Sequence, residues 1–120
     1  MPVKNVEDVK KQDVTAGVDT TIQVLISSEE GPNFAMRKFV IQPRGGMPLH
    51  TNLVEHEQYV LNGEAKVQIG DDVHHVKQGD VVFIPEGVHH SYLNTGEDTF
   101  EFLCMVPNKP DKIELVVEGC

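Results

Sequence analysis

Three histidines and one asparagine are the residues of this sequence best suited to do chemistry together. His50 and Asn52 are two residues apart, His56 follows in the same short segment, and His90 comes from a second segment rich in glycine and proline. Residues i and i+2 of a β-strand point to the same face, so His50 and Asn52 can reach one point. Neutral imidazole is the commonest protein ligand for borderline divalent metals. Taken singly, each histidine is more often a solvated residue, so the prediction of one metal ion held by His50, His56 and His90, with Asn52 adding a carbonyl oxygen, rests on their joint placement.

Short period-two stretches separated by turn signals make up most of the chain from residue 34 onward. The stretch 34–42 predicts a strand that stops at the Pro-Arg-Gly-Gly of 43–46. The Asn-Gly pair at 62–63 predicts a hairpin after a strand at 58–61. Residues 113–117 predict a last edge strand. About ten such strands, without a long helical periodicity, indicate an all-β sandwich or barrel.

The length of 120 residues suits one domain with one modest core. Within it, residues 1–33 are predicted to form an N-terminal arm and an edge strand, and residues 34–120 the barrel. Two cysteines are too few for a disulfide framework, and Cys120, the last residue, is interpreted as an exposed, mobile thiol.

Charge and hydropathy exclude several classes of partner. Ten basic and nineteen acidic side chains give a net charge of −9, which repels a phosphate backbone and an anionic lipid surface. We therefore expect no nucleic acid and no membrane as partners. No apolar stretch is long enough for a transmembrane helix, and the first residues lack the apolar core of a secretory signal. These features predict a cytoplasmic protein.

The spacing of glycine, proline and histidine resembles the two motifs of the cupin superfamily. The second motif, G-x5-P-x-G-x2-H-x3-N, is matched in full by Gly79, Pro85, Gly87, His90 and Asn94. The resemblance covers roughly residues 34–107, which is most of the chain.

The first motif, G-x5-H-x-H-x3-4-E-x6-G, is matched by His50 and Gly63 with three departures. Gly45 is one residue closer to His50 than the pattern asks. Asn52 stands where the second histidine belongs. His56 occupies the glutamate position at the three-residue spacing, and Glu57 fits the four-residue spacing. The form with histidine in the glutamate position is similar to small one-domain cupins that bind manganese or another divalent metal through four histidines, of which three would be present here.

The resemblance implies a double-stranded β-helix, or jelly roll, with the metal inside the barrel. It also implies a homodimer to whose interface an N-terminal strand contributes. The metal is a divalent ion, and Mn, Fe, Zn, Ni and Cu all stay open because imidazole suits or tolerates each of them.

Three further residues are candidates for catalysis, each with a plainer alternative. Glu57 is a candidate ligand or general base, or else a residue that orients His56. Arg37 lies on an alternating strand and is a candidate partner of Glu57 or of a substrate carboxylate; a surface salt bridge is the alternative. Cys104 is a candidate for the cavity wall, where a thiol near an oxygen-activating metal would be oxidised, or a small core residue.

Three classes of function follow from this sequence. The first is a small metal-dependent enzyme for an anionic or chelating small molecule, with dioxygenase-type chemistry favoured and isomerase or lyase chemistry as the alternative. The second is a non-catalytic module that binds a sugar or an organic acid, with Asn52 marking a pocket that has lost its metal. The third is a stable dimeric barrel with no small-molecule role.

Overall fold

The computed structural model describes residues 2–116 of the chain, and within them nearly all regular structure is β-strand. One turn of 3-10 helix at Val6–Asp8 precedes the strands. No helix in this part of the chain is long and apolar enough to cross a membrane. The strands are β1 Gln12–Asp13, β2 Val18–Ile26, β3 Phe34–Thr51, β4 His56–Asn62, β5 Glu64–Ile69, β6 Asp72–Lys77, β7 Val81–Ile84, β8 His90–Leu93, β9 Phe100–Pro107 and β10 Glu114–Leu115.

The strands form one antiparallel sheet that curls into a jelly-roll barrel, which confirms the all-β prediction. The strand order along the sheet is β6-β5-β8-β3-β9-β4-β7, so that neighbours in the sheet are often distant in sequence. The strands β2 and β10 also pair with β3, and β1 pairs with β2. Among the described strands, β3 therefore has the most partners, namely β2, β8, β9 and β10.

The prediction that the strand beginning at Phe34 stops at residues 43–46 is wrong, because β3 continues to Thr51. Up to Ile41 this strand pairs with β9, and from Gly46 it pairs with β8. Between the two, Arg44 has a φ of 69°. A side chain at Gly46 would place its Cβ 2.1 Å from the backbone oxygen of Tyr92. The Pro-Arg-Gly-Gly segment thus bends the strand from one side of the barrel to the other instead of ending it.

Both ends of the chain join the same sheet. The strand β2 pairs with β3 from Val18 to Ile26, and the predicted boundary at residue 33 falls in the connection between these two strands. The strand β10 lies within the predicted edge strand at 113–117 and pairs with Thr51 and His50. The last residue of that prediction, Val117, and the terminal Cys120 lie outside the described residues.

The core is formed by inward-facing side chains that alternate along the strands. Every second residue of β9 is buried, from Phe100 to Val106, and both Phe100 and Phe102 are almost fully inaccessible. Burial of one such aromatic side chain contributes about 1.5–3 kcal/mol to the free energy of folding. The alternation also places Cys104, on the same face of β9, in the barrel interior.

Two motif glycines provide a matched test of the barrel's tight turns. Gly63 and Gly79 both have positive φ, 80° and 91°. A Cβ at Gly63 would lie 2.3 Å from the backbone oxygen of Thr99, whereas a Cβ at Gly79 would meet nothing within 4 Å. Replacement of Gly79 by Ala should cost about 1–2 kcal/mol for the left-handed backbone alone. We expect Gly63→Ala to cost at least about 1 kcal/mol more, because the backbone of Thr99 must also move to make room for the methyl group.

Urea unfolding of the two variants and the wild type measures both costs on one scale. Equal losses at the two positions would mean that the close approach at Gly63 contributes nothing beyond its φ angle.

Candidate functional site

A cavity of about 170 Å³ opens inside the barrel. A cavity of about 150 Å³ is sufficient to hold a benzene molecule, so this one has room for a ligand of about one ring. Its walls are largely apolar, with Phe39, Ile41 and Phe102 among them. Its polar lining consists of Asp13, Thr15, Arg37, His50, Asn52, His56, Gln58, His90 and Tyr92. The four predicted metal-binding residues therefore face one space.

His50 and His90 meet across the junction of β3 and β8, where they are paired in register. Their ring centroids are 4.2 Å apart. The Nδ1 atom of His50 lies 2.7 Å from the carbonyl oxygen of Pro48, and that of His90 lies 3.0 Å from the carbonyl oxygen of Val88. A carbonyl oxygen only accepts, so each Nδ1 carries the proton and each Nε2 keeps a free lone pair. Both imidazoles have the tautomer that a metal-binding histidine needs.

His56 begins β4 and approaches the same pair of histidines from the other side. Its ring centroid is 5.6 Å from that of His90. Its Nδ1 lies 3.2 Å from the Cys104 Sγ. Its Nε2 is buried and, like the Nε2 of His90, has no hydrogen-bond partner among residues 2–116. Buried polar atoms are nearly always paired, so two unpaired ring nitrogens in one cavity are available to bind a ligand.

Burial keeps these imidazoles neutral at neutral pH. Desolvation, followed by the charge of Arg37, lowers the pKa of His56 to about 3. Desolvation also lowers the pKa of His90 to about 4 and shifts the pKa of His50 downward. Neutral imidazole is the form that binds a metal ion.

Asn52 is oriented by a residue that sequence reasoning did not identify. The Asn52 Nδ2 donates to the carboxylate of Asp111 at 3.2 Å, and the backbone N–H of Leu53 donates to the same carboxylate at 2.7 Å. The Asn52 Nδ2 is thus engaged. The Asn52 Oδ1 is buried and has no hydrogen-bond partner in the described chain, so it is free to bind a ligand. No sequence signal links positions 52 and 111, which are brought together only when the segment before β10 folds back onto β3.

A row of three polar side chains crosses the barrel wall beside the histidines. Arg37 on β3 is paired with Cys104 on β9, and Cys104 is paired with Gln58 on β4. The Arg37 Nη2 lies 3.2 Å from the Cys104 Sγ. The Gln58 Nε2 donates to the Tyr92 hydroxyl at 2.7 Å. Sequence reasoning missed Gln58, although its alternation with His56 along one strand is a signal that places both in the interior.

The structure separates Glu57 from the other predicted site residues. Its neighbours on β4, His56 and Gln58, are buried and line the cavity, so Glu57 projects from the opposite face of the strand. A hydrogen bond with Glu55 raises the pKa of Glu57 to about 7. The hypothesis of Glu57 as a cavity base is therefore not supported by its position. Arg37 forms no ion pair with Glu57 or with any other carboxylate within residues 2–116. The alternative prediction for Arg37, a surface salt bridge, is therefore not supported either.

The three imidazoles are not yet gathered into a complete site. In the described residues, no group of three or more His, Cys, Asp and Glu side chains has the arrangement of a metal centre. The unpaired ring nitrogens and the Asn52 Oδ1 nevertheless fit a metal chemically, because each is a neutral nitrogen or oxygen atom in the same cavity.

Residues 37–106, more than half of the chain, match the family model described as the cupin domain. The chain belongs to the cupin family. The structure of the polyketide cyclase RemF from Streptomyces resistomycificus superimposes on this cupin with a TM-score of 0.86 and 30% identity, covering 98% of this chain and 88% of that one. Cupins commonly bind divalent metals.

Two curated relatives of this cupin have other activities. The 1-methylthio-D-xylulose 5-phosphate methylsulfurylase of Rhodospirillum rubrum is 31% identical over 99 residues, or 82% of this chain. Mannose-1-phosphate guanylyltransferase 2 of Escherichia coli O157:H7 is 31% identical over 71 residues, or 58% of this chain. This cupin spans 63% of the length of the first relative and 15% of the second. Because the related proteins differ in chemistry, the similarity identifies the fold and not the reaction.

For the metal-free protein, the buried histidines predict a loss of stability in mild acid. The folded-state pKa values of His56 and His90, about 3 and about 4, lie below the ordinary value of 6.5 that the unfolded chain has. Between these values the unfolded chain binds protons that the folded chain does not bind. The free energy of unfolding therefore decreases as the pH falls from about 6.5 towards 4.

The variant His90→Gln should show a loss between pH 7 and pH 5 that is smaller than the wild-type loss by about 2 kcal/mol. Urea unfolding of chelator-treated protein at the two pH values measures the difference. The variant His74→Gln, altered at an exposed position on β6, is the control and should keep the wild-type dependence. A His90→Gln variant with an unchanged pH dependence would show that this imidazole is not held neutral by the fold.

Proposed function

We propose that this protein is a metal-dependent cupin with one divalent ion in the barrel, held by His50, His56, His90 and Asn52. The observation that carries the proposal is the set of buried, unpartnered atoms in the cavity: Asn52 Oδ1, His56 Nε2 and His90 Nε2. Leaving such atoms unpaired costs about 1–3 kcal/mol each, a cost that a bound ion removes. The Nε2 of His50 is free for the same ion, because its Nδ1 is committed to Pro48.

The ligand set restricts the metal only in part. Three imidazoles and one amide oxygen are neutral, so a bound ion keeps its full charge. Imidazole suits Zn, Cu, Fe and Ni, and an oxygen ligand such as Asn52 is also compatible with Mn. A site of lower affinity than a four-histidine site is expected, because an amide oxygen is a weaker ligand than imidazole.

The proposed substrate is a small molecule that chelates the ion or carries negative charge. A divalent ion in this cavity would supply Lewis-acid polarisation or oxygen activation to such a substrate. The protein's own contribution is the apolar wall that excludes water, the neutral state of the imidazoles and the amide orientation set by Asp111. We favour dioxygenase-type chemistry, with isomerase or lyase chemistry as the alternative. Glu57 has no part in this proposal, because it projects away from the cavity.

The second candidate function is a non-catalytic module that binds a sugar or an organic acid. It is favoured by the same departure that weakens the metal site, namely Asn52 in place of an imidazole, together with the incomplete gathering of the histidines. Stoichiometric ligand binding that does not change on metal removal would support it.

Elemental analysis of protein purified without chelators tests the proposal directly. We expect close to one divalent ion per chain in the wild type and almost none in the double variant His50→Ala/His90→Ala. The double variant His74→Ala/His75→Ala removes the same number of imidazoles from the exposed strand β6 and should keep the ion.

Protein that contains no metal and does not bind added Mn²⁺, Fe²⁺ or Zn²⁺ would overturn the metalloenzyme proposal and leave the binding module. Metal retained by the His50→Ala/His90→Ala variant would place the ion elsewhere.

The contact between Asp111 and Asn52 predicts that Asp111, which is not itself a proposed metal ligand, affects the metal affinity of the site. Outer-shell partners of metal ligands are commonly worth about 10–100-fold in metal affinity. The variant Asp111→Ala frees the Asn52 amide to rotate, so we expect a loss in this range, measured by competition with a fluorescent chelator. The variant Asp72→Ala removes the same charge from an exposed position and should keep the wild-type affinity. Equal affinities in both variants would contradict the orienting role of Asp111.

A further inference from the structure

We propose that Arg37 is an anion-binding residue of the cavity, and that the ligand is a small planar organic anion, about one ring in size, whose carboxylate or enolate group contacts the guanidinium. This inference deepens the proposed function by assigning a substrate class to the same cavity. It rests on the proposed function only where it treats the bound anion as a substrate.

The register of three strands directs the Arg37 side chain towards the cavity. Arg37, Cys104 and Gln58 are paired across β3, β9 and β4, and all three project inward. A single sulfur atom, the Cys104 Sγ, lies 3.2 Å from the Arg37 Nη2 and 3.2 Å from the His56 Nδ1. An anion held by Arg37 would therefore share one small space with the histidines.

Arg37 is half-buried, and its guanidinium has few partners within the described residues. It has five N–H donors, and its contacts here are a thiol sulfur and the face of the Phe39 ring, 5.2 Å from the Cζ. Its Nε is buried and has no hydrogen-bond partner in residues 2–116. A thiol sulfur accepts hydrogen bonds weakly, and a buried N–H without an acceptor is costly, so a ligand oxygen beside Arg37 would be favourable.

Neighbouring carboxylates do not neutralise this charge. Asp111 uses its oxygens for the Asn52 amide and the Leu53 N–H. Asp13 borders the cavity, but no carboxylate of the described chain comes within 4.0 Å of the Arg37 guanidinium. The counterion position beside Arg37 is thus available to a ligand.

The walls of the cavity define the shape of that ligand. Phe39 stacks on Phe102 at 5.2 Å, and Tyr92 stacks on Phe102 at 5.3 Å, so flat aromatic surface borders the space. The volume of about 170 Å³ is sufficient for one ring. The Tyr92 hydroxyl accepts from Gln58, so its own hydrogen is left to donate to a ligand oxygen.

The net charge of the whole chain cannot account for the attraction of an anion to the cavity. A net charge of −9 repels anions at long range. Any preference of the cavity for an anion over its neutral isostere must therefore come from groups inside the cavity, and among its charged lining residues Arg37 is the cation.

Benzoate and its neutral isostere benzamide are suitable probes, titrated calorimetrically into the full chain after chelator treatment. We expect the wild type to bind benzoate at least about tenfold more tightly than benzamide, as charge-assisted hydrogen bonds would give. The variant Arg37→Met should lose this preference. The variant Lys66→Met, which removes a positive charge from an exposed position on β5, should keep it.

A second measurement applies if Arg37→Met does not fold. In a ¹H–¹⁵N spectrum of the wild type, the Nε–H resonance of Arg37, assigned with Arg37→Lys, should shift on addition of benzoate and not on addition of benzamide. Equal binding of the two probes, or benzoate binding that survives in Arg37→Met, would overturn the inference.

The absence of metal in this experiment separates the inference from the proposed function. A chain that binds no metal but prefers benzoate through Arg37 supports the inference and not the metalloenzyme. A chain that binds metal but does not distinguish the two probes supports the metalloenzyme and overturns the inference.

Discussion

The bend in β3 is the constraint on which the rest of this structure depends. One strand of eighteen residues, from Phe34 to Thr51, supplies the hydrogen-bonding edge for β9 in its first half and for β8 in its second. A backbone that switches partners must change direction between them, and the positive φ of Arg44 and the missing side chain of Gly46 permit it. The bend closes the sheet into a barrel, and it carries His50 to a position opposite His90.

The chemistry of the cavity follows from what surrounds these histidines. Apolar walls desolvate the imidazoles and keep them neutral, and the carbonyl oxygens of Pro48 and Val88 select the tautomer with a free Nε2 for two of them. The third, His56, is contacted by a thiol instead of a carbonyl oxygen. The Cys104 sulfur thus joins His56 to Arg37, so that the proposed metal ligands and the proposed anion site belong to one connected set of side chains.

Much of this arrangement was predictable because it depends on local periodicity. Alternation along β9 made Cys104 a candidate for the interior, where the structure has it, and the spacing of Gly79, Pro85, Gly87, His90 and Asn94 indicated the family. The predictions that failed concern one strand boundary and the orientation of one side chain. Pro43 and its neighbours suggested a strand end, whereas a long strand that changes partners can absorb the same residues as a bend. Glu57 was a candidate for the cavity, but it follows a buried residue directly and therefore faces outward.

The sequence by itself determined the fold class, the family and the identity of the candidate ligands, because strand alternation and turn glycines act over a few residues. The tertiary structure alone decided which polar atoms have no partner within residues 2–116. Asp111 reaches Asn52 across 59 positions of sequence, and Arg37 meets Cys104 across 67, through strand pairings that no local pattern specifies. Hydrogen bonding and desolvation depend on neighbours in space, so the free atoms of Asn52, His56 and Arg37 became visible only when the barrel closed.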